Sequence, residues 1–307
     1  MITRNQILFV MSADSVSYPI LKSNGYNIVE PYRRRSRCAY KIRYLLHLLR
    51  IDNLIGVLSE PSEDFLNSNP KLIIIEGSLI YIPFIRHLRK RFPIVRTKFC
   101  YSNIVKVAAS ISPKILTKFN IEGWSWDPKD CKTYHLHYLK PFFDEDILPN
   151  SETLVYDACF IGKDKGRYHT VRSIQRSLES LGYKCFIKVI PPFNFLKKLH
   201  NYYSEPISYV EYLSIVSKSR CVIDIVQQGQ TGTTMRVFES LFGQKKLITN
   251  NHDIITYDFY DKRNIFILGK DSIADLKLFM ESDYVQISQD ILEEYKPTQW
   301  INRIIND

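Results

Sequence analysis

Short apolar runs alternate with amphipathic stretches along this chain, and they do so in two successive series. ILFVM (7–11) and KLIIIEGS (71–78) have the composition of buried strands, with a helical pattern over residues 38–50 between them. TLVYDACFIG (153–162) and CVIDIV (221–226) belong to the second series. This alternation predicts parallel sheets, because parallel strands need crossover helices, which cover both faces. The sequence therefore predicts an α/β protein with two parallel-sheet domains.

The domain boundaries follow from the one stretch without periodicity. Residues 141–152 contain two prolines and an acidic cluster, and we predict a linker there. An N-terminal domain then covers 1–140 and a C-terminal domain 153–285. Residues 286–307 end in a predicted helix. Ligands of such folds bind at the carboxyl ends of the strands, so two facing domains place a cleft between them.

Cysteine use and hydropathy indicate a soluble, cytoplasmic protein. The six cysteines are scattered without a CxxC pair, which argues against a disulfide framework or a zinc knuckle. The longest apolar run, residues 72–85, is interrupted by Glu76 and Gly77 and is too short to span a bilayer. The apolar core of the N-terminus is too short for a signal peptide.

Positive charge is concentrated in the first half of the chain. Residues 1–150 hold 22 Lys and Arg against 13 Asp and Glu, whereas residues 151–307 hold 20 against 19. A half this basic suggests an anionic partner, namely nucleic acid, an anionic membrane or a phosphorylated glycolipid. The alternative is a solvated basic face with no partner. The candidate contact residues are Arg33, Arg34, Arg35, Arg37, Arg89, Lys90 and Arg91.

A polar loop, QQGQTGTT (227–234), separates a predicted strand from a predicted helix. Its position at the carboxyl end of the strand makes it a candidate phosphate site, because the first N–H groups of the helix are unpaired. Arg236 can grip a diphosphate and Glu239 can accept from a ribose diol, which together suit a nucleotide sugar. The alternative is that Thr233 only caps the helix and the glutamines form a solvated loop.

A second turn, GKDKGR (162–167), offers glycines and cations at the end of the neighbouring strand pattern. It can meet the same phosphates from another side. The alternative is an exposed charged turn.

Several segments resemble a family of bacterial glycosyltransferases that build lipopolysaccharide core and capsule, most closely the enterobacterial lipopolysaccharide core rhamnosyltransferase type. The resemblance is carried by IGKDKGR, by YVEYLSIVSKSRCVIDIVQQGQTGTTMRVFESL, by KKLITNN and by YDFYDKRNIFILG. It covers most of the chain and is strongest over 154–266. Where those relatives carry an aromatic-Asn-Pro strand end, CYSNIV (100–105) keeps Asn103 but lacks the proline.

The resemblance implies the GT-B fold, in which two Rossmann-like domains face each other across a cleft, and a final segment, 286–307, that crosses back to the first domain. It implies a donor site in the second domain with no essential metal and no cofactor. Glu239 matches the second residue of the family's Glu-x7-Glu pattern, but Thr231 stands at the first. The expected donor-binding residues are Lys163, Arg167, Gly232, Thr233, Thr234, Arg236 and Glu239.

The resemblance also implies the substrates. The expected reaction moves rhamnose from a nucleotide-rhamnose onto a Kdo residue of the lipid A–core oligosaccharide, with heptose or another hexose as open alternatives. The expected location is the cytoplasmic face of the inner membrane, whose anionic surface the basic half would meet. No nucleic-acid partner is expected.

A catalytic base is needed if the reaction inverts the sugar's configuration. Glu76, at the end of LIIIEGS, is the first candidate and Asp14, in the loop after the first strand, is the second. The alternative for Glu76 is a purely structural carboxylate. DED (144–146) lies in the predicted linker, and His135 and His137 have no third ligand nearby, so we predict no metal site.

Two other classes of function remain as alternatives. A non-catalytic nucleic-acid-binding protein would use the basic half, but the chain has no RRM, KH, zinc-finger or helix-turn-helix signature. A nicotinamide-dependent oxidoreductase would need GxGxxG in its first turn, where this chain has MSADSVS.

Overall fold

The chain forms two compact units in a computed structural model. The first unit comprises Met1–Lys140 with Ile301–Asp307, and the second comprises Pro141–Trp300. The structure describes residues 2–33, 42, 45, 46, 49, 51, 54, 60–77, 81–106, 110–150, 153–191 and 203–306.

The first unit is built on a six-stranded parallel sheet with the strand order β2-β1-β3-β4-β5-β6. Its strands are β1 (Ile7–Val10), β2 (Asn27–Val29), β3 (Leu72–Gly77), β4 (Arg96–Tyr101), β5 (Glu122–Ser125) and β6 (His137–Tyr138). Its helices are α1 (Ser17–Ser23), α2 (Glu63–Asn67), α3 (Ile82–Arg91), α4 (Pro113–Lys118) and α5 (Pro128–Tyr134). The predicted helix over 38–50 lies mostly outside the described residues.

The central strands show why this sheet is covered on both sides. The first four residues of β3 are buried, although alternate side chains point to opposite faces of a sheet. Phe84 of α3 and Phe65 of α2 are also fully buried, with ring centroids 4.5 Å apart. A continuous apolar strand is thus stabilised by helices, as the alternating pattern predicts.

The second unit has a five-stranded parallel sheet with the order β11-β10-β9-β7-β8. Its strands are β7 (Tyr156–Lys163), β8 (Cys185–Ile190), β9 (Ser219–Asp224), β10 (Lys246–Thr249) and β11 (Ile265–Ile267). Its helices are α6 (Tyr168–Ser180), α7 (Tyr209–Ser217), α8 (Met235–Phe242), α9 (Leu276–Glu281) and α10 (Gln289–Glu293), followed by α11 (Pro297–Asn306), which ends in the first unit.

Residues 141–150 of the predicted linker segment belong to the second unit. The Phe143 N–H donates there to the Tyr295 carbonyl at 2.8 Å. Helix α5 begins after Asp127, whose carboxylate accepts from the N–H groups of Lys129 and Asp130. A capping aspartate followed by proline is typical of a helix start.

Each sheet reverses its strand order at one point, and such points bind ligands in parallel α/β folds. The reversal lies between β1 and β3 in the first unit and between β7 and β9 in the second. Asp14 lies in the loop after β1, and Gly232, Thr233 and Thr234 lie in the loop after β9, whereas Arg236 and Glu239 lie in α8. Glu76 and Lys163 lie at the carboxyl ends of β3 and β7. Within the described parts of the chain, no helix is both long enough and apolar enough to cross a membrane.

Candidate functional site

The loop after β9 is anchored by a buried aspartate. Asp224 is the last residue of β9 and is fully buried, and the Thr234 hydroxyl donates to its Oδ1 at 2.8 Å. The Thr234 oxygen also accepts from the Arg236 N–H at 3.2 Å and so caps α8. Burial raises the pKa of the Asp224 carboxyl, and the Arg236 guanidinium and the Thr234 hydroxyl oppose that shift. Thr234 therefore fixes the start of α8 at the strand end.

The Arg236 guanidinium points toward the strand end rather than away from it. Its Nη2 donates to the Ile161 carbonyl at 2.7 Å, and its Nη1 lies 3.6 Å from Asp224 Oδ1. It also lies 5.2 Å from the centroid of the Phe160 ring. A Cβ at Gly162 would come within 2.4 Å of Nη2, so this glycine makes room for the guanidinium. Arg236, which the sequence predicts to bind a diphosphate, thus already makes hydrogen bonds within the protein.

Arg167 is also engaged by the protein. Its guanidinium is buried and donates to the carbonyls of Ile225 at 2.6 Å, Lys163 at 2.5 Å and Asp164 at 3.2 Å. These bonds tie the turn after β7 to the end of β9. Burial, and then repulsion from Arg236, lower the pKa of Arg167 to about 10. Arg167 therefore shapes the turn while leaving its positive charge at the reversal point.

The exposed cations of this turn are Lys163 and Lys165. Lys165 has a left-handed backbone with φ of 45°, followed by Gly166 at 79°. Partial desolvation of the Lys165 ammonium, and then repulsion from Arg167, Lys163 and Arg236, lower its pKa to about 8. We call Lys163, Lys165, Arg167 and Arg236 the cation cluster. An anion would relieve its internal repulsion.

The polar loop itself is held by side chains on both sides. The Asn250 Oδ1 accepts from the Val226 N–H at 2.8 Å, and the Asn251 Nδ2 donates to the Thr231 carbonyl at 3.3 Å. The Gln230 amide donates to the Gly232 carbonyl at 3.0 Å. Thr233 is buried, and its hydroxyl has no hydrogen-bond partner among the described residues. That hydroxyl lies one residue before the capping Thr234.

Glu239 is buried inside the second unit. The Tyr209 hydroxyl donates to its Oε1 at 3.0 Å, and the Tyr212 hydroxyl donates to its Oε2. Burial raises the pKa of Glu239 to about 7, although the Tyr212 and Tyr209 hydrogen bonds and the Arg236 charge oppose this shift. Glu239, which was expected to bind a ribose, therefore has a carboxyl group whose two oxygens each accept from a tyrosine. Sequence reasoning missed both tyrosines, which precede it by about thirty residues.

Glu76 lies at the reversal point of the first unit. It is the penultimate residue of β3, and the Ser15 hydroxyl donates to its Oε1 at 2.5 Å. Burial raises the pKa of Glu76, while hydrogen bonds from Ser15 and Ser17 oppose that rise. Asp14 is exposed, and its N–H donates to the Ser12 hydroxyl at 3.2 Å. Only Glu76 of the two candidate bases is thus both partly buried and held by hydrogen bonds to its carboxylate.

The predicted contact residues of the basic first half differ in their surroundings. Arg33 pairs with Glu63 at 3.1 Å, and Arg34, Arg35 and Arg37 lie outside the described residues. The Arg89 guanidinium donates to the carbonyls of Phe119, Val95 and Asn120 at 2.6, 3.0 and 2.5 Å. Lys90 and Arg91 are exposed. Arg89 thus ties α3 to the end of α4 instead of offering a free guanidinium.

The remaining sequence candidates have local partners. His137 stacks on Trp124 with ring centroids 4.6 Å apart, and Asp144 accepts from the Asp146 N–H at 3.1 Å. Among the described residues, no group of three or more His, Cys, Asp and Glu side chains is placed to hold a metal ion.

No protein-family model matches the chain, and no curated protein matches it by sequence. Solved structures do match its fold. Sucrose-phosphate synthase from Thermosynechococcus elongatus superposes with a TM-score of 0.57 at 8% identity, over 97% of this chain and 96% of that one. Anabaena HepE in complex with UDP-glucose gives 0.55 at 8% identity, over 97% and 98%.

A third match is an alpha-glucosyltransferase in complex with UDP and a 13-mer DNA, with a TM-score of 0.53 at 10% identity over 97% and 92% of the two chains. This chain has the GT-B fold. The predicted fold class, with two Rossmann-like parallel-sheet units, is therefore confirmed. In the GT-B chain described here, the polar loop and the cation cluster lie at the reversal point of the second Rossmann-like unit.

Proposed function

We propose that this protein is a glycosyltransferase that takes its sugar from a nucleotide-sugar donor. The observation that carries the proposal is the cation cluster beside the start of α8, at the reversal point between β7 and β9. Lys163 and Lys165 are exposed there. The buried guanidinium of Arg167 and the partly buried guanidinium of Arg236 add positive charge beside them. A nucleoside diphosphate matches such a site in charge and in hydrogen-bonding needs.

The cluster also suggests how the donor's bond would be activated. Transfer leaves negative charge on the departing diphosphate, and fixed cations and helix N–H groups stabilise that charge. Asp224 interacts with the charges of Arg236 and Arg167, and Asp164 interacts with that of Arg167, which leaves the exposed Lys163 and Lys165 for an anion. We propose that this charge takes the place of a divalent metal and that no cofactor is needed.

The acceptor's hydroxyl would lose its proton to Glu76 in an inverting reaction. A carboxylate with a raised pKa is a better base than an exposed one, and burial raises the pKa of Glu76. The hydrogen bond from Ser15 would keep the carboxylate in one orientation. Asp14 is exposed and has no comparable restraint on its carboxylate among the described residues.

We further propose rhamnose as the transferred sugar and a Kdo residue of the lipid A–core oligosaccharide as the acceptor, at the cytoplasmic face of the inner membrane. This finer assignment is supported by the sequence resemblance over residues 154–266 and by the basic first half of the chain. Heptose or another hexose is the competing donor sugar.

A thermal-shift panel tests the donor site. Purified protein is heated with UDP-, dTDP-, GDP-, ADP- and CMP-sugars, because a ligand that binds the native state raises the melting temperature. One nucleotide class should stabilise the wild type, and Lys163→Ala/Lys165→Ala should lose that shift. Lys184→Ala removes an exposed lysine just before β8 and is the matched control. Stabilisation by DNA or RNA with no response to any nucleotide sugar would favour a nucleic-acid-binding protein instead.

A further inference from the structure

The polar loop 227–234 contains no hydrophobic residue with which to hold its own shape. Gly229 has a left-handed backbone with φ of 85°. The Gln230 N–H donates to the Gln227 carbonyl at 3.2 Å and closes a turn. A turn of this composition contributes little apolar burial to offset the entropy of ordering it. The position of the loop therefore depends on hydrogen bonds from neighbouring segments.

Two of these hydrogen bonds fix the ends of the loop. The Arg167 guanidinium donates to the Ile225 carbonyl, just before the loop, at 2.6 Å. The Thr234 hydroxyl, at the end of the loop, donates to Asp224 at 2.8 Å. Both bonds determine where the chain enters and leaves, but neither contacts the middle. The turn over 227–230 therefore needs a further anchor.

Asn251, in the segment after β10, supplies that anchor. It is buried, and its Nδ2 donates to the Thr231 carbonyl at 3.3 Å. Its Oδ1 accepts from the Asp253 N–H at 3.1 Å and caps the short 3-10 helix His252–Thr256. A residue that only capped this helix would need the side-chain oxygen alone, and serine or aspartate would serve as well. The bond from the amide to the loop thus goes beyond capping.

The preceding residue, Asn250, uses its side chain in the opposite sense. Its Oδ1 accepts from the Val226 N–H at 2.8 Å, at the entry of the loop. An aspartate at position 250 can make the same bond, because a carboxylate oxygen also accepts. An aspartate at position 251 cannot donate to the loop, because it has no N–H group. The two neighbouring asparagines therefore allow an added charge to be separated from a lost loop bond.

We infer that Asn251 is a positioning residue for nucleotide binding, which acts through the Thr231 carbonyl to hold the polar loop in place before α8. This inference rests on the proposed function, because the ligand concerned is the nucleotide part of the sugar donor. A ligand that needs one position of the loop binds more weakly in proportion to the time the loop spends elsewhere. Loss of the Asn251 bond should therefore weaken binding although the cation cluster is intact.

Calorimetric titration of the full chain with UDP, dTDP, GDP and ADP tests the inference. For the nucleotide that the wild type binds, Asn251→Asp should bind at least about fivefold more weakly than Asn250→Asp, because only the first variant loses a hydrogen bond to the loop. Asn250→Asp adds the same charge one residue away and so measures the effect of charge alone. Asn251→Ser keeps a capping oxygen, adds no charge and should also weaken binding.

Amide hydrogen exchange measures the loop itself, and it covers the case in which Asn251→Asp does not fold. Peptides that contain residues 227–234 should exchange faster in Asn251→Ser than in wild type. Equal nucleotide affinity of Asn251→Ser and wild type would overturn the inference, since Asn251 would then only cap the 3-10 helix. A lower stability of the variants in urea with unchanged affinity would overturn it in the same way. A wild type that binds none of the four nucleotides would instead contradict the proposed function, and the inference with it.

Discussion

The Ser15 hydroxyl donates a hydrogen bond of 2.5 Å to Oε1 of Glu76 across the reversal point of the first sheet. Ser15 lies in the loop after β1, and Glu76 lies near the end of β3, the strand that pairs with β1. The bond favours the charged carboxylate, whereas burial favours the neutral acid. The serine therefore limits how far burial raises the pKa of Glu76.

Replacing Ser15 should change the pH dependence of the proposed transfer. Ser15→Ala removes a hydrogen bond that lowers the pKa of Glu76, so the pKa rises. Since the base acts when deprotonated, the acidic limb of the pH–kcat profile should move up by about one pH unit. Ser15→Thr keeps the hydroxyl and should restore the wild-type limb. An unchanged limb in Ser15→Ala would show that Glu76 is not the titrating base.

Removing Arg236 should destabilise the second unit. Arg236→Ala leaves the Asp224 carboxylate buried with Thr234 as its described hydrogen-bond donor, and such a loss costs about 3 kcal/mol of unfolding free energy. Asp224→Asn in the same background removes the unpaired charge and should recover part of the loss. Urea unfolding measures both variants, with Lys184→Ala as the exposed control. A loss no larger than that of the control would contradict the buried pairing.

Glu239 should make stability depend on pH. Its folded pKa is about 7, above the ordinary value of 4.5, so the native state holds the proton more tightly. The resulting stabilisation is fully present below pH 4.5 and is lost as pH rises through 7, by about 3 kcal/mol in all. Glu239→Gln should remove this slope from a series of urea unfolding curves. Glu179→Gln, on the exposed face of α6, should keep it, and a flat wild-type profile would disprove the assignment.

The end of α11 should contribute to the free energy of unfolding of the first unit. Ile304 is fully buried, and its carbonyl accepts from the buried Lys98 ammonium of β4. Ile304→Ala should therefore lower the free energy of unfolding by about 2–5 kcal/mol. Asn302→Ala changes an exposed neighbour on the same helix and should stay within about 0.5 kcal/mol of wild type. Equal stabilities of the two variants in urea would contradict this packing.

The fold could be predicted from the sequence because its signals are local. Buried parallel strands read as continuous apolar runs, and β3 and β9 were found on that basis. The short helix α1 and the three-residue strand β2 were missed, since neither is long enough to show a period. The placement of the polar loop at a strand's carboxyl end also followed from local pattern.

The side-chain partners at the candidate site could not be predicted in this way. Arg236 was expected to reach a ligand, but its direction depends on Asp224, on the Ile161 carbonyl and on the space at Gly162. These groups come from two strands that are distant in sequence. Glu239 similarly depends on tyrosines of α7. Residue type identified charged groups near the site, while tertiary contacts decide which of them face inward.

The most direct test of the account is acceptor-dependent release of the nucleoside diphosphate. The donor that stabilises the protein is incubated with truncated lipopolysaccharide, and release is compared for wild type, Glu76→Gln and Asp14→Asn. Wild type and Asp14→Asn should release nucleotide, whereas Glu76→Gln should keep its donor-induced thermal shift and lose about 10²–10⁴-fold in rate. Full activity of Glu76→Gln would contradict the assigned base. Absence of any nucleotide-sugar binding or turnover by the wild type would contradict the proposed function itself.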